Sequence, residues 1–333
     1  MTFDIFNAPV SVVAEGLEGK ALLIYGSNSL GKTYQATKFK KPLYLGFEAG
    51  LGAIAPINNW KDFKKVNKDL CDPKNREKLK ELYQTIIFDE VYASARMCQT
   101  FICEKYGADN ISEQLPKGSA VNRPNLYVAY ESEYWGEIQK LLKAGFSIVF
   151  IGHEETDKDT GQIIPKGDKR SMKVIRDNAD VCLYLVSNGI NPETGRPVFS
   201  SAYSAETPQF FARSRYMHMK PFIPEFTAKN VEEALTEAIR LESEETGIAP
   251  VSYKEREAQM ATAKVDFEET KKKCMELCMT LDSNGFGDYA LELMFKHLGQ
   301  GVTLSTVMER QIDSLELLMI DLQDFLNEKE LTQ

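Results

Sequence analysis

Five short apolar runs punctuate the first 190 residues: KALLIY at 20–25, PLYLGF at 42–47, QTIIFD at 84–89, FSIVFI at 146–151 and DVCLYLV at 180–186. They are continuous rather than alternating and rich in Ile, Leu, Val and aromatics, as strands covered on both faces are. Between them, 90–106 and 131–144 carry apolar residues at helical spacing. This alternation predicts an α/β fold with a mostly parallel sheet between helices. The turn-rich stretch SNGINPETGR at 187–196 separates 180–186 from 197–203 and predicts a hairpin that finishes the sheet. A further short strand is expected at 209–213 and a closing helix at 229–243.

Past the TGIAP break near 246–252 the pattern changes to helices alone, at 253–280, 288–298 and 309–327, with SNGFG at 283–287 as an interruption. Ile312, Leu315, Met319, Leu322 and Leu326 mark one apolar stripe of the last helix. The sequence thus divides into an α/β core over 1–249 and a small all-helical domain over 250–333. Charge follows the same division: the net charge is −9, and from Pro250 onward 9 Lys/Arg face 16 Asp/Glu. Such a chain does not hold polyanions by its overall field, so any nucleic-acid contact requires a local basic surface.

At 43% hydrophobic and 27% charged the chain is neither disordered nor fibrous. No run approaches the ~18 apolar residues of a membrane span, and MTFDIFNAPV lacks a basic segment followed by an apolar one. A cytoplasmic protein without a membrane partner is expected. Six cysteines without a regular framework and three histidines argue against a disulfide scaffold or a zinc centre; Cys274 with Cys278, and Cys98 with Cys103, read as free thiols.

The chemistry is concentrated at strand ends. Directly after the first strand stands Gly26-Ser27-Asn28-Ser29-Leu30-Gly31-Lys32-Thr33, a full match to the phosphate-loop pattern G-x-x-x-x-G-K-[ST]. Its glycines let backbone N–H groups turn inward, the following helix directs its positive end at the phosphates, Lys32 reaches the β- and γ-phosphates, and Thr33 binds Mg²⁺. ATP with Mg²⁺ is the expected cofactor pair, and Mg-dependent ATP hydrolysis the expected reaction. The run Ile86-Ile87-Phe88-Asp89-Glu90 ends a buried strand in two carboxylates; Asp89 is the candidate for holding the metal through its water shell and Glu90 for polarising the attacking water. Glu48, directly after the second strand, competes for that base role. His153 in Phe150-Ile151-Gly152-His153-Glu154 is placed to touch the γ-phosphate and report hydrolysis.

Taken together, GSNSLGKT, YLGFEAG, TIIFDE and FIGHE, with FICEKYG after the acidic strand and Trp135 before the fourth strand, resemble the phage-encoded RecA-like P-loop nucleotide-binding proteins over about residues 18–245. Several of those act in single-strand annealing and recombination. The resemblance implies a RecA-like core, a water-activating carboxylate at Glu48, and nucleotide sites between subunits of a ring or filament. Histidine at 153 and the acidic pair at 89–90 depart from RecA itself, and the choice between Glu48 and Glu90 stays open.

The resemblance further implies single-stranded DNA at two loops, 107–130 and 154–176. The second holds Lys166, Lys169, Arg170, Lys173 and Arg176 with Gly161 and Gly167, the composition of a mobile basic loop; the first offers Lys117, Arg123, Tyr127 and Tyr130. Arg213 and Arg215, followed by Lys220, are the candidates for a cation donated to a neighbour's nucleotide. The acidic tail is read as a partner-binding or oligomer-contact module, for a single-strand-binding protein or a nuclease. Two other readings keep the same phosphate site: a partner-controlled replication ATPase (a helicase or helicase loader), and a nucleotide-gated interaction protein that does not touch DNA.

Overall fold

The computed structural model describes residues 13–47, 55–114, 124–260 and 266–329. Their contacts divide into two compact units, Val10–Arg256 and a second that includes Glu257–Gln333. The first opens with β1 (Ala21–Gly26), α1 (Lys32–Ala36), β2 (Pro42–Gly46), β3 (Ala55–Pro56), α2 (Trp60–Cys71), α3 (Pro73–Leu82), β4 (Thr85–Asp89) and α4 (Val91–Tyr106). It continues through α5 (Leu126–Lys143), β5 (Ser147–Gly152), β6 (Glu154–Thr156), β7 (Ile163–Pro165), α6 (Lys169–Asn178) and β8 (Val181–Val186). Then come β9 (Ser201–Tyr203), β10 (Arg213–Ser214), β11 (Phe222–Ile223) and α7 (Ala228–Thr246), and α8 (Tyr253–Met260) runs across the division at Arg256.

The strands lie in the order β11-β9-β8-β1-β5-β4-β2-β3, with β10 beside the start of β8. From β8 to β3 every pairing is parallel; β9, β10 and β11 join antiparallel. The apolar runs are continuous because both faces are covered. In β1, Ala21 and Leu23 face a core built with Trp60 and Phe63 of α2, Ala95 and Cys98 of α4 and Tyr134 and Ile138 of α5. Leu22 and Ile24 point the other way, onto Val231, Leu235 and Ile239 of α7. Each large apolar side chain among them contributes roughly 1.5–3 kcal/mol by leaving water, so a polar residue at either parity would be costly.

β6 and β7 form a separate two-stranded hairpin. The stretch 154–176 is therefore not a mobile basic loop: a hairpin occupies its first half and α6 its second. Asp168 caps α6 by accepting from Ser171 N at 2.9 Å, and buried Ser171, Met172 and Ile175 supply the inward face.

The second unit has its own core. Leu315, Leu318, Leu322 and Leu326 of α11 (Ile312–Glu328) pack with Cys274, Leu277 and Leu281 of α9 (Phe267–Ser283) and Ala290, Leu293 and Leu298 of α10 (Gly287–Leu298). The predicted stripe holds at Leu315, Leu322 and Leu326, while Leu318 is fully buried in place of Met319, and Ile312 and Met319 are partly buried at the margin. No helix among the described residues is long and apolar enough to cross a membrane.

Candidate nucleotide site

β1 enters the phosphate loop from the middle of the sheet, between β5 and β8. The loop has two positions that only glycine suits. A Cβ on Gly26 would lie 2.8 Å from Leu185 O, and Gly31 takes a φ of 78° where α1 starts. Ser29, with a φ of 64°, holds the left-handed conformation without that freedom. Ser200, itself buried, anchors the loop by donating to Leu30 O at 3.0 Å. The helix that follows is short: α1 spans five residues. With so short a helix before β2 begins at Pro42, a phosphate at this loop would depend on the loop's own N–H groups more than on a long helix dipole.

Lys32 is buried, and its ammonium donates to Gly26 O at 2.8 Å and Ser27 O at 2.5 Å, folding back over the loop it serves. Burial lowers its pKa to about 8, against the opposing pull of Asp89, Glu154 and Glu90. Thr33 Oγ1 donates to Asp89 Oδ2 at 2.6 Å, and Tyr44 OH donates to the same oxygen at 2.9 Å. A hydroxyl from the first turn of α1 and a carboxylate from the end of β4 are hard oxygen donors of the kind Mg²⁺ takes, and the site fits that ion.

β5 lies between β1 and β4, with Gly152 opposite Tyr25 and Ile151 opposite Asp89. This register carries His153 and Glu154 into the space between the phosphate loop and Asp89. His153 is half-buried, and its carbonyl accepts Lys166 N at 2.9 Å, closing the base of the hairpin. Glu154 is the residue the sequence reading passed over. Its Oε1 accepts from Ser27 Oγ at 2.5 Å, and its Oε2 is buried without a hydrogen bond of normal geometry among the described residues. Tyr184 beside it has its pKa pushed up to about 12, by burial first and by Glu154 next. The signal available in the sequence was an acid directly following a strand end that already held a candidate.

One of the two carboxylates expected to polarise water is engaged elsewhere. Glu90 is buried and caps α4, one oxygen accepting from Tyr92 N and the other from Ala93 N, both at 3.2 Å. That is a correction to its reading as the base, because both oxygens are turned to the helix. Glu48 lies outside the described residues.

The expected DNA-facing cations separate into two groups. Lys166, Arg170 and Lys173 are exposed, and Arg170 stacks over the Tyr127 ring at 4.9 Å, bringing together the stretches 107–130 and 154–176. Lys169 instead pairs with Asp157 at 3.1 Å and Asp159 at 2.5 Å. Arg176 turns inward over Phe211 at 5.5 Å, its Nε buried without a hydrogen bond. Tyr130 cannot stack on a base: it is fully buried and donates to Ser171 O at 3.2 Å. Lys117 and Arg123 lie outside the described residues.

Arg213 pairs in register with Cys182 and Ser214 with Val181, at the start of β8, while the phosphate loop adjoins Leu185 near its end. Arg213 is half-buried; Arg215 is exposed, lies 3.4 Å from Asp180 and donates to Asp177 O at 3.1 Å. The Arg215 guanidinium is thus held at the start of β8, and Lys220 is exposed.

Comparison with known proteins agrees with this geometry. The profile of a family described as an AAA domain matches residues 18–216, a span that begins before β1 and ends after β10. The SPbeta prophage-derived uncharacterized protein YorG of Bacillus subtilis (strain 168) is 45% identical over 333 residues, covering 98% of this chain and 100% of that protein.

Proposed function

This chain belongs to the AAA domain family of P-loop proteins, and from that membership we propose that it hydrolyses Mg-ATP and couples the reaction to single-stranded DNA, in phage-type recombination or annealing. One observation carries the nucleotide part: Thr33 and Asp89, 56 residues apart, meet at 2.6 Å beside the buried Lys32. Bound there, Mg²⁺ would neutralise phosphate oxygens and polarise the γ-phosphoryl group. Lys32 would leave Gly26 O and Ser27 O to take up the phosphates. With the Glu90 carboxylate committed to α4, Glu48 is the proposed base. His153 and Glu154, between loop and Asp89, would respond to the γ-phosphate. Arg213 and Arg215 would act on a neighbouring copy's nucleotide in a ring or filament.

The DNA part rests on Lys166, Arg170 and Lys173 with the Tyr127 ring, a basic and aromatic surface suited to backbone contact and stacking. Replacing those three cations with Ala should weaken single-stranded DNA binding and flatten its salt slope by about 2. An unchanged slope, measured by anisotropy across a salt series, would refute this surface. A second reading, a partner-controlled ATPase with little DNA contact, is favoured by the internal pairing of Lys169 with Asp157 and Asp159, which cancels part of the local positive charge.

A further inference from the structure

Between α9 and α10 the helical unit opens a groove of about 500 Å³, lined by Cys278, Met279, Asp282, Asp288, Leu291 and Met294 among others. Met279 is 67% exposed and Leu291 45%; Phe295, one turn beyond Leu291 on α10, is 48% exposed. Three large apolar side chains thus face outward along one strip, in a bundle whose own core is already complete. Two of the lining residues are methionines, whose unbranched side chains adapt to varied partners.

The charged residues that line the groove, Asp282 and Asp288, have one sign. No cation lines the groove among the described residues. Four of the bundle's lysines are ion-paired, Lys272 with Glu276 at 3.8 Å, Lys273 with Glu269 at 2.7 Å, Lys296 with Asp321 at 2.8 Å and Lys329 with Glu328 at 3.6 Å, and Lys271 lies over the Phe267 ring at 5.7 Å. Asp282 and Asp288 have no ion pair among the described residues. An occupant must therefore be apolar along its centre and positive at its margins. A nucleic acid is repelled, and a second copy docked by the same face would set these aspartates against their own counterparts. The groove walls are helices, which recognise through side chains rather than through a free strand edge.

We propose that this groove docks a basic amphipathic helix of a partner protein, its apolar face on Met279, Leu291 and Phe295 and its lysines or arginines beside Asp282 and Asp288. The inference does not depend on the nucleotide site. The test uses the full chain and a fluorescein-labelled Leu/Lys peptide of about 18 residues, with leucines at helical spacing. Its controls are a peptide of the same composition with strictly alternating leucines and a Leu/Glu counterpart.

Anisotropy should show binding of the helical peptide only. The double variant Met279→Ala/Leu291→Ala should weaken it about tenfold or more, as loss of two central anchors does. Asp282→Asn/Asp288→Asn should flatten the salt dependence, while Glu309→Gln/Asp313→Asn, which removes equal charge elsewhere on the bundle, should leave binding unchanged. All these positions are on the surface, and a melting curve for each variant confirms that the fold is kept. Equal binding of the alternating peptide, an equal loss in Glu309→Gln/Asp313→Asn, or no loss in Met279→Ala/Leu291→Ala would overturn the proposal. So would concentration-dependent self-association that Leu291→Ala abolishes, since the groove would then be a contact between copies.

Discussion

Lys32 links the phosphate loop to pH in a way that can be measured. Its pKa of about 8 in the free protein comes from burial, and phosphates arriving beside it would favour the charged form. Below pH 8 the ammonium is charged before and after binding, so affinity is flat. Above pH 8 binding must take up a proton, and ATP affinity should fall by up to about tenfold per pH unit until the pKa of the complex is reached. Calorimetry in buffers of different ionisation enthalpy would register that proton; a flat affinity from pH 7 to 10 would contradict it. Glu154→Gln should act in the opposite direction, tightening nucleotide binding about fivefold by removing a negative charge next to the loop while keeping an acceptor for Ser27. Fluorescent-nucleotide titration reads this, and looser binding would show that the carboxylate supports the loop rather than opposing the phosphates. The residues that were legible in sequence are those with a fixed pattern, Gly26 to Thr33 and Asp89. Glu90 misled because an acid at a strand end serves equally well to cap the next helix, and Glu154 was overlooked because its role depends on Ser27, 127 residues away.

At the scale of elements, the hairpin and α6 hold each other through Lys169 and the two aspartates of the turn. If the surface of Lys166, Arg170 and Lys173 meets DNA, then Asp157→Asn/Asp159→Asn frees a fourth cation, and single-stranded DNA affinity should rise with a steeper salt slope. No change in slope would separate this hairpin from DNA. The same elements show where the sequence was readable. β1, β2, β4, β5 and β8 were evident because burial on both faces requires unbroken apolar runs. α2, α3 and α6 were not: α2 and α6 do carry a helical period, but polar residues fill part of the inward face, Asn67 beside Trp60, Phe63 and Leu70 in α2 and Ser171 beside Met172 and Ile175 in α6, while α3 buries none of its residues. β3, β10 and β11 are two-residue strands defined by their neighbours and have no periodicity of their own.

The whole molecule combines a sheet whose parallel strands deliver their chemistry to one edge with a helical unit that has a separate core. Leu318→Ala, at a fully buried position of that second core, should cost about 2–5 kcal/mol, read as a lowered melting transition of the helical unit. The central claim is that the edge formed by Lys32, Thr33, Asp89, His153 and Glu154 is an ATPase centre coupled to DNA. It is tested most directly by steady-state ATP hydrolysis with and without single-stranded DNA, at fixed moderate salt, with Lys32→Ala as the blank. Mg-dependent turnover is expected that Lys32→Ala abolishes and that DNA stimulates several-fold. Turnover indifferent to DNA would contradict the coupling, and turnover that survives in Lys32→Ala would contradict the site itself.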